Sequence, residues 1–275
     1  MSCPLRARGP SLSIAGKVIS LQQKPAYLER DDGLNLAYMA TAGSAPGLVF
    51  LPGFMSDMSG AKAVALAQFC DDRGQALLRL DYRGHGLSQG EFAHYGIDDW
   101  LQDTLLAIDR LTSGPLILVG SSMGGWLALL AALARPERVA GVIGIAAAPD
   151  FTEELLWQQL SPAEQQTVMD EGALYQPSDY GEKPYCFSRK LIEDGRRHLL
   201  LGKPIPLRCP VRLLQGMADV DVPFATALRL AERLETKDVT VTLIKDADHR
   251  LSRDSDLGRL CHTVAELTGV VRATM

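Results

Sequence analysis

The sequence predicts one doubly wound α/β domain over residues 26–275: a mostly parallel central sheet with helices on both faces, and a small helical cap inserted at about 151–206. Three observations carry this. Short apolar runs at 47–51, 76–80, 116–119 and 139–148 alternate with helical patterns at 61–73, 97–111 and 127–135, as in parallel strands joined by crossover helices. Residues 115–126, PLILVGSSMGGW, run an apolar strand straight into a helix with only a glycine-flanked turn between them. Between 151 and 206 the strand-like runs stop, and acidic residues, prolines and scattered aromatics take their place.

The individual elements follow in order. Residues 26–30 and 34–41 flank Asp31-Asp32-Gly33, a hairpin turn, and predict two antiparallel edge strands. The strand at 47–51 enters the loop Pro52-Gly53-Phe54-Met55, whose glycine permits close backbone approach to a ligand. The strand at 76–80 ends in Asp81-Tyr82-Arg83-Gly84-His85-Gly86-Leu87-Ser88, where Asp81 and His85 are expected to satisfy the loop's own backbone. Trp100, Leu101, Thr104, Leu105, Ile108 and Leu111 recur at helical spacing. In the cap, the aromatics are expected to form its own core, and Arg196, Arg197 and His198 a solvated basic face. Strands resume at 210–215 and 240–244, and a helix over 256–267 closes the chain.

Composition excludes several function classes. A net charge of -5 argues against a nucleic-acid or anionic-membrane surface, and no apolar run is long enough to span a bilayer, so no stable membrane insertion is expected. The five cysteines show neither a C-x-x-C spacing nor a disulfide framework, which suits a reducing compartment. No metal site or cofactor is expected. Residues 1–25 carry Arg6, Arg8, Lys17 and Lys24 without an acid; a disordered leader and a cytoplasmic location are the expectation, and a transit peptide to the mitochondrial matrix is the alternative.

Residues 120–124, Gly-Ser-Ser-Met-Gly, fit G-x-S-x-G with Ser122 central. A strand-to-helix turn this sharp strains its central residue and leaves no room for side chains two positions either side, hence the glycines. It lifts a hydroxyl above the sheet beside the unpaired amides of a helix N-terminus. Ser122 is therefore the candidate nucleophile, with the Met123 and Phe54 amides as the candidate oxyanion hole. Asp219 and His249 each lie beyond the end of a strand, and Ser122, Asp219, His249 is the serine, acid, histidine order of the α/β-hydrolase fold. Asp221 and Asp150 compete with Asp219 for the acid's place, whereas Asp246 and Asp248 are too near His249 in the chain. A serine at this turn, in place of an aspartate, disfavours dehalogenase and epoxide hydrolase chemistry.

The runs Leu51-Pro52-Gly53-Phe54, 119–126 (VGSSMGGW), 212–217 (RLLQGM) and Asp248-His249-Arg250 resemble the serine hydrolase branch of mitochondrial palmitoyl-protein thioesterases and mycophenolic acid acyl-glucuronide esterases. The similarity extends from about residue 47 to the C-terminal helix. It implies Ser122 as nucleophile, Asp219 and His249 as its partners, and cofactor-free hydrolysis of S-acyl thioesters or acyl esters, with a small molecule or an acylated protein as substrate. Met123 replaces an expected leucine, and Gln215 stands where many hydrolases of the fold have histidine; neither is expected to touch the mechanism. A carbon–carbon bond hydrolase or peptidase on the same triad is the alternative, and a non-catalytic ligand-binding protein is the remaining one.

Overall fold

The computed structural model describes residues 24–177 and 184–274, so nearly all of the leader and part of the cap lie outside the described residues. Strands β1 (Ala26–Glu29), β2 (Asn35–Thr41), β3 (Ser44–Leu51), β4 (Gln75–Leu80), β5 (Leu116–Ser121) and β6 (Val139–Ile145) are followed by β7 (Ala173–Gln176), β8 (Tyr185–Ser188), β9 (Val211–Gly216) and β10 (Val239–Ile244). The helices are α1 (Ala61–Arg73), α2 (Ile97–Leu111), α3 (Met123–Ala134), α4 (Pro162–Glu171), α5 (Arg189–Arg197), α6 (Phe224–Arg233) and α7 (Asp254–Thr274). Eight strands make one sheet in the order β1-β2-β4-β3-β5-β6-β9-β10. The pairs β1–β2 and β2–β4 are antiparallel; the rest are parallel.

Period-two alternation along the central strands divides the core between the two faces. Val49, Leu51, Leu116 and Leu118 point to the face covered by α2, α3, α6 and the cap, against Trp100, Ile108, Leu127 and Leu230. Leu48, Phe50, Ile117 and Val119 point to the other face, against Leu66 and Cys70 of α1 and Leu260, Val264 and Leu267 of α7. Both faces of β3 and β5 are buried, which is why these strands read as continuous apolar runs.

The residues between β6 and β9 are not wholly helical as the sequence predicts. A short π-helical turn, Thr152–Leu156, precedes α4, and β7 and β8 pair as an antiparallel hairpin before α5. This hairpin forms its own two-stranded sheet and adds nothing to the main one. β6 is also shorter than predicted, because Ala146 takes a left-handed conformation (φ 45°) at the strand's end. The closing helix is longer and reaches Thr274.

Arg196 and Arg197 are exposed, as a solvated basic face requires, and His198 is half-buried, but all three are paired with acids. Arg196 pairs with Glu153 at 2.7 Å, and Arg197 and His198 both bond Asp98 in the first turn of α2. Lys190 reaches Asp99 at 3.0 Å, so α5 is tied to α2 by several ion pairs. No helix of the described residues is long and apolar enough to cross a membrane.

Candidate active site

Ser122 sits between β5 and α3 with φ 53° and ψ -119°, a conformation that costs an L-residue of order 1–3 kcal/mol and persists because its neighbours over-determine it. Its amide donates to the Ile145 carbonyl at 2.8 Å, and its carbonyl accepts from Ala148 at 3.1 Å and from Gly125 at 2.8 Å. The two glycines of the motif are required by space. A Cβ at Gly120 would lie 2.1 Å from the Gly124 carbonyl oxygen, and one at Gly124 would lie 2.1 Å from the Leu51 oxygen and 2.5 Å from that of Pro52.

The structure brings Ser122, Asp219 and His249 together. His249 Nε2 is 3.1 Å from Ser122 Oγ and its Nδ1 is 2.9 Å from Asp219 Oδ2. With Nδ1–H donating to the carboxylate, Nε2 is left to accept the hydroxyl proton. The Asp219 side chain is fully buried, and that of His249 is 18% exposed. Asp219 Oδ1 accepts from the amides of Asp221 (3.0 Å) and Val222 (2.8 Å), so the loop after β9 closes on the carboxylate it carries.

The competing acids have other partners or positions. Both Asp150 oxygens accept backbone amides, Leu200 at 2.7 Å and Leu201 at 2.8 Å, where the chain returns from α5; burial pushes this carboxyl above the usual range. Asp221 is exposed and donates its amide to Asp219. Asp248 accepts from the Leu251 amide at 3.2 Å, a local turn bond. Among the described residues, Asp219, Asp221 and His249 are the one group of three or more metal-ligating side chains whose ligand atoms all lie within 4.8 Å, and two of the three are engaged with each other.

The amide of Met123 is the first of α3 and that of Phe54 lies in the turn after β3, which approaches Ser122 at Gly53; among the described residues no hydrogen bond from either amide is found. The turn is fixed from below. Met55, at φ 52°, donates its amide to His85 Nε2 at 3.3 Å, and Asp81 accepts Met58 at 2.7 Å and Leu87 at 2.9 Å. His85 and Asp81 thus hold backbone, as their glycine-rich setting suggests. Burial pushes the His85 imidazole down to about 4 and the Asp81 carboxyl up to about 6, so His85 stays neutral and able to accept. The Phe54 ring packs among Phe92, Trp100, Phe151, Tyr185 and Phe187 at centroid distances of 5.1 to 6.1 Å, which joins the oxyanion turn to the cap. Of the cap aromatics, Phe151, Tyr185 and Phe187 therefore pack beyond the cap, Tyr175 is exposed, and Tyr180 lies outside the described residues.

Gln215, expected from the sequence to stand apart from the mechanism, is completely buried near the end of β9 and donates from Nε2 to Asp219 Oδ2 at 2.9 Å. The available signal is an amide near the end of a buried strand, four positions before the acid.

The chain matches the family model for serine aminopeptidases, S33, over residues 46–174. Human mitochondrial palmitoyl-protein thioesterase ABHD10 is 42% identical over 243 residues, covering 88% of this chain and 79% of that one. The solved structure of mouse alpha/beta hydrolase domain-containing protein 10 superposes with a TM-score of 0.81 at 41% identity, covering 89% of this chain and 98% of that one. A putative hydrolase from Agrobacterium vitis S4 gives a TM-score of 0.85 at 36% identity over the same shares. With this sequence identity over most of both chains and this superposition, the chain belongs to the α/β-hydrolase family of serine hydrolases that includes palmitoyl-protein thioesterase ABHD10.

Proposed function

We propose that the chain hydrolyses carboxylic thioesters and esters through an acyl-serine on Ser122, with long-chain S-acyl groups on protein or small-molecule carriers as its substrates. The observation that carries this is the relay in which His249 stands 3.1 Å from the Ser122 hydroxyl and 2.9 Å from the buried Asp219. Ser122 Oγ attacks the acyl carbon while His249 Nε2 takes its proton, and Asp219 holds the ring and stabilises the imidazolium. The carbonyl oxygen gains a full negative charge and accepts hydrogen bonds donated by the Phe54 and Met123 amides; one such donor is typically worth about 10²- to 10³-fold in rate. The protonated His249 then gives its proton to the departing thiolate or alkoxide. Water, deprotonated by the same nitrogen, hydrolyses the acyl-serine.

The thioester part of the proposal is supported by the names of the relatives at 41–42% identity, which are palmitoyl-protein thioesterases. Their mitochondrial designation also supports the transit-peptide reading of the leader over a cytoplasmic location. The test is a rate comparison between matched acyl esters and thioesters of short to long chain, with Ser122→Ala as control. Serine-dependent turnover that favours long-chain thioesters is the expected result. Turnover confined to short activated esters overturns the substrate assignment, and Ser122→Ala activity near wild type overturns the mechanism.

A further inference from the structure

Gln215 donates to the oxygen of Asp219 that also receives His249. Its Nε2 lies 2.9 Å from Asp219 Oδ2 and 3.0 Å from the Val222 carbonyl, so the two amide protons have two good acceptors. The orientation of the amide is fixed by these partners. Turned over, Oε1 would face a carboxylate and a carbonyl, both acceptors, and both contacts would be repulsive. The chosen orientation leaves Oε1 buried without a hydrogen bond, an arrangement that costs stability. An apolar residue in this strand would avoid that cost, so the donor function is what the amide brings to the site.

Counting Gln215, Asp219 accepts four hydrogen bonds: the Asp221 and Val222 amides on Oδ1, and Gln215 and His249 on Oδ2. That is the full acceptor capacity of a carboxylate. The two backbone bonds come from the acid's own loop and move with it. Gln215 is anchored in β9, paired in register with β10 through Leu243, and so references the carboxylate to the sheet.

We infer that Gln215 is a positioning residue of the triad, acting on His249 through Asp219 by fixing which carboxylate oxygen, at which angle, the imidazole meets. The inference rests on the hydrolase reading. It is tested with a double-mutant cycle on the full chain, using a fluorophosphonate probe and a thioester substrate.

Gln215→Met should lower kcat, and the rate of probe labelling, by about 10- to 100-fold with KM nearly unchanged, the range for removing one hydrogen bond to a charged group. In an Asp219→Ala background the same substitution should change either rate less than about twofold, because the group it acts through is gone. Equal losses in the two backgrounds, or none in the otherwise native protein, overturn the inference. If Gln215→Met does not fold, Gln215→Glu serves instead. Its introduced carboxyl can donate to Asp219 only when protonated, so its activity relative to the native protein should rise as pH falls from 8 to 5. A ratio that does not change with pH overturns the inference. Failure of the native protein itself to react with the probe would instead overturn the hydrolase reading.

Discussion

Gly124→Ala tests the geometry of the oxyanion turn most directly. The added methyl would stand 2.1 Å from the Leu51 oxygen and 2.5 Å from the Pro52 oxygen, against backbone that has no side-chain freedom to yield. Restoring an ordinary contact requires a movement of about 1 Å, and the segment that must give is the end of β3, which leads directly into Gly53 and Phe54. A displacement of that size at a reacting centre costs about 10²-fold, and the loss of one oxyanion donor costs about 10²- to 10³-fold. The expected outcome is therefore a fall in kcat/KM of at least about 10²-fold, with overpacking destabilising the fold by about 1–3 kcal/mol. Gly53→Ala is the graded control. Its Cβ would sit 3.3 Å from the Ser121 oxygen and 3.4 Å from Ser122 Cβ, contacts that a shift of a few tenths of an ångström relieves, so its loss should stay nearer tenfold. Both variants are assayed on an activated ester, with thermal melts and probe labelling of the folded fraction. A Gly124→Ala enzyme within threefold of wild type, or one less impaired than Gly53→Ala, refutes the steric account of the turn.

Three further outcomes follow from the same coordinates. Asp219→Asn should lower kcat by about 10⁴-fold with the fold intact, since the amide favours the wrong imidazole tautomer; steady-state kinetics at saturating substrate checks it. Asp103→Ala should destabilise the protein by about 3–5 kcal/mol in denaturant unfolding, because the fully buried Asp103 holds Arg83 at 2.6 Å and Arg30 at 3.6 Å and both guanidinium groups would be left buried with less compensation. His85 is depressed to about 4 from an ordinary 6.5. Above 6.5 it is neutral in both states and contributes nothing to the pH dependence. As pH falls from 6.5 towards 4 the unfolded chain takes up its proton and the folded one does not, so stability is lost, by up to about 3 kcal/mol. Asp81, raised to about 6, acts in the opposite direction below pH 6. The comparison is therefore between the native protein and His85→Gln, unfolded in denaturant at pH 7 and pH 4.5: the variant should lose less stability on acidification, and an equal loss would sink the assignment.

What was legible in the sequence was local. The elbow at Ser122 could be read because its strain, its flanking glycines and the strand and helix it joins all lie within a dozen residues. The alternation of strands and helices was legible for a similar reason, since both faces of the parallel strands are buried. The cap was harder. β7 and β8 are four residues each, too short for a clear period-two pattern, and α5 is held by an acid about 100 residues away, so the pairing of Arg197 and His198 with Asp98 is legible only in the fold. Gln215 reads as a departure from the family pattern; its place four residues before the acid is the local hint, and only the fold shows its amide turned towards Asp219.

The choice of acid shows where sequence reasoning must stop. Asp150 and Asp219 both follow strands, and β6 and β9 are neighbours, so either loop emerges near Ser122 at the end of β5. Two facts of tertiary structure separate them. β9 and β10 run parallel with Gly216 opposite Ile244, so the residues after each emerge side by side, and three residues on one strand and five on the other bring Asp219 to His249 Nδ1. The loop after β6 instead turns into the cap, where both oxygens of Asp150 are used to bind the returning chain at Leu200 and Leu201. Those two bonds hold Asp150 to the chain returning from α5, while His249 Nδ1 meets Asp219. The acid of the triad is thus selected by the order of strands in the sheet and by what each loop must do on its way out of it, neither of which is written in the residues around the aspartate itself.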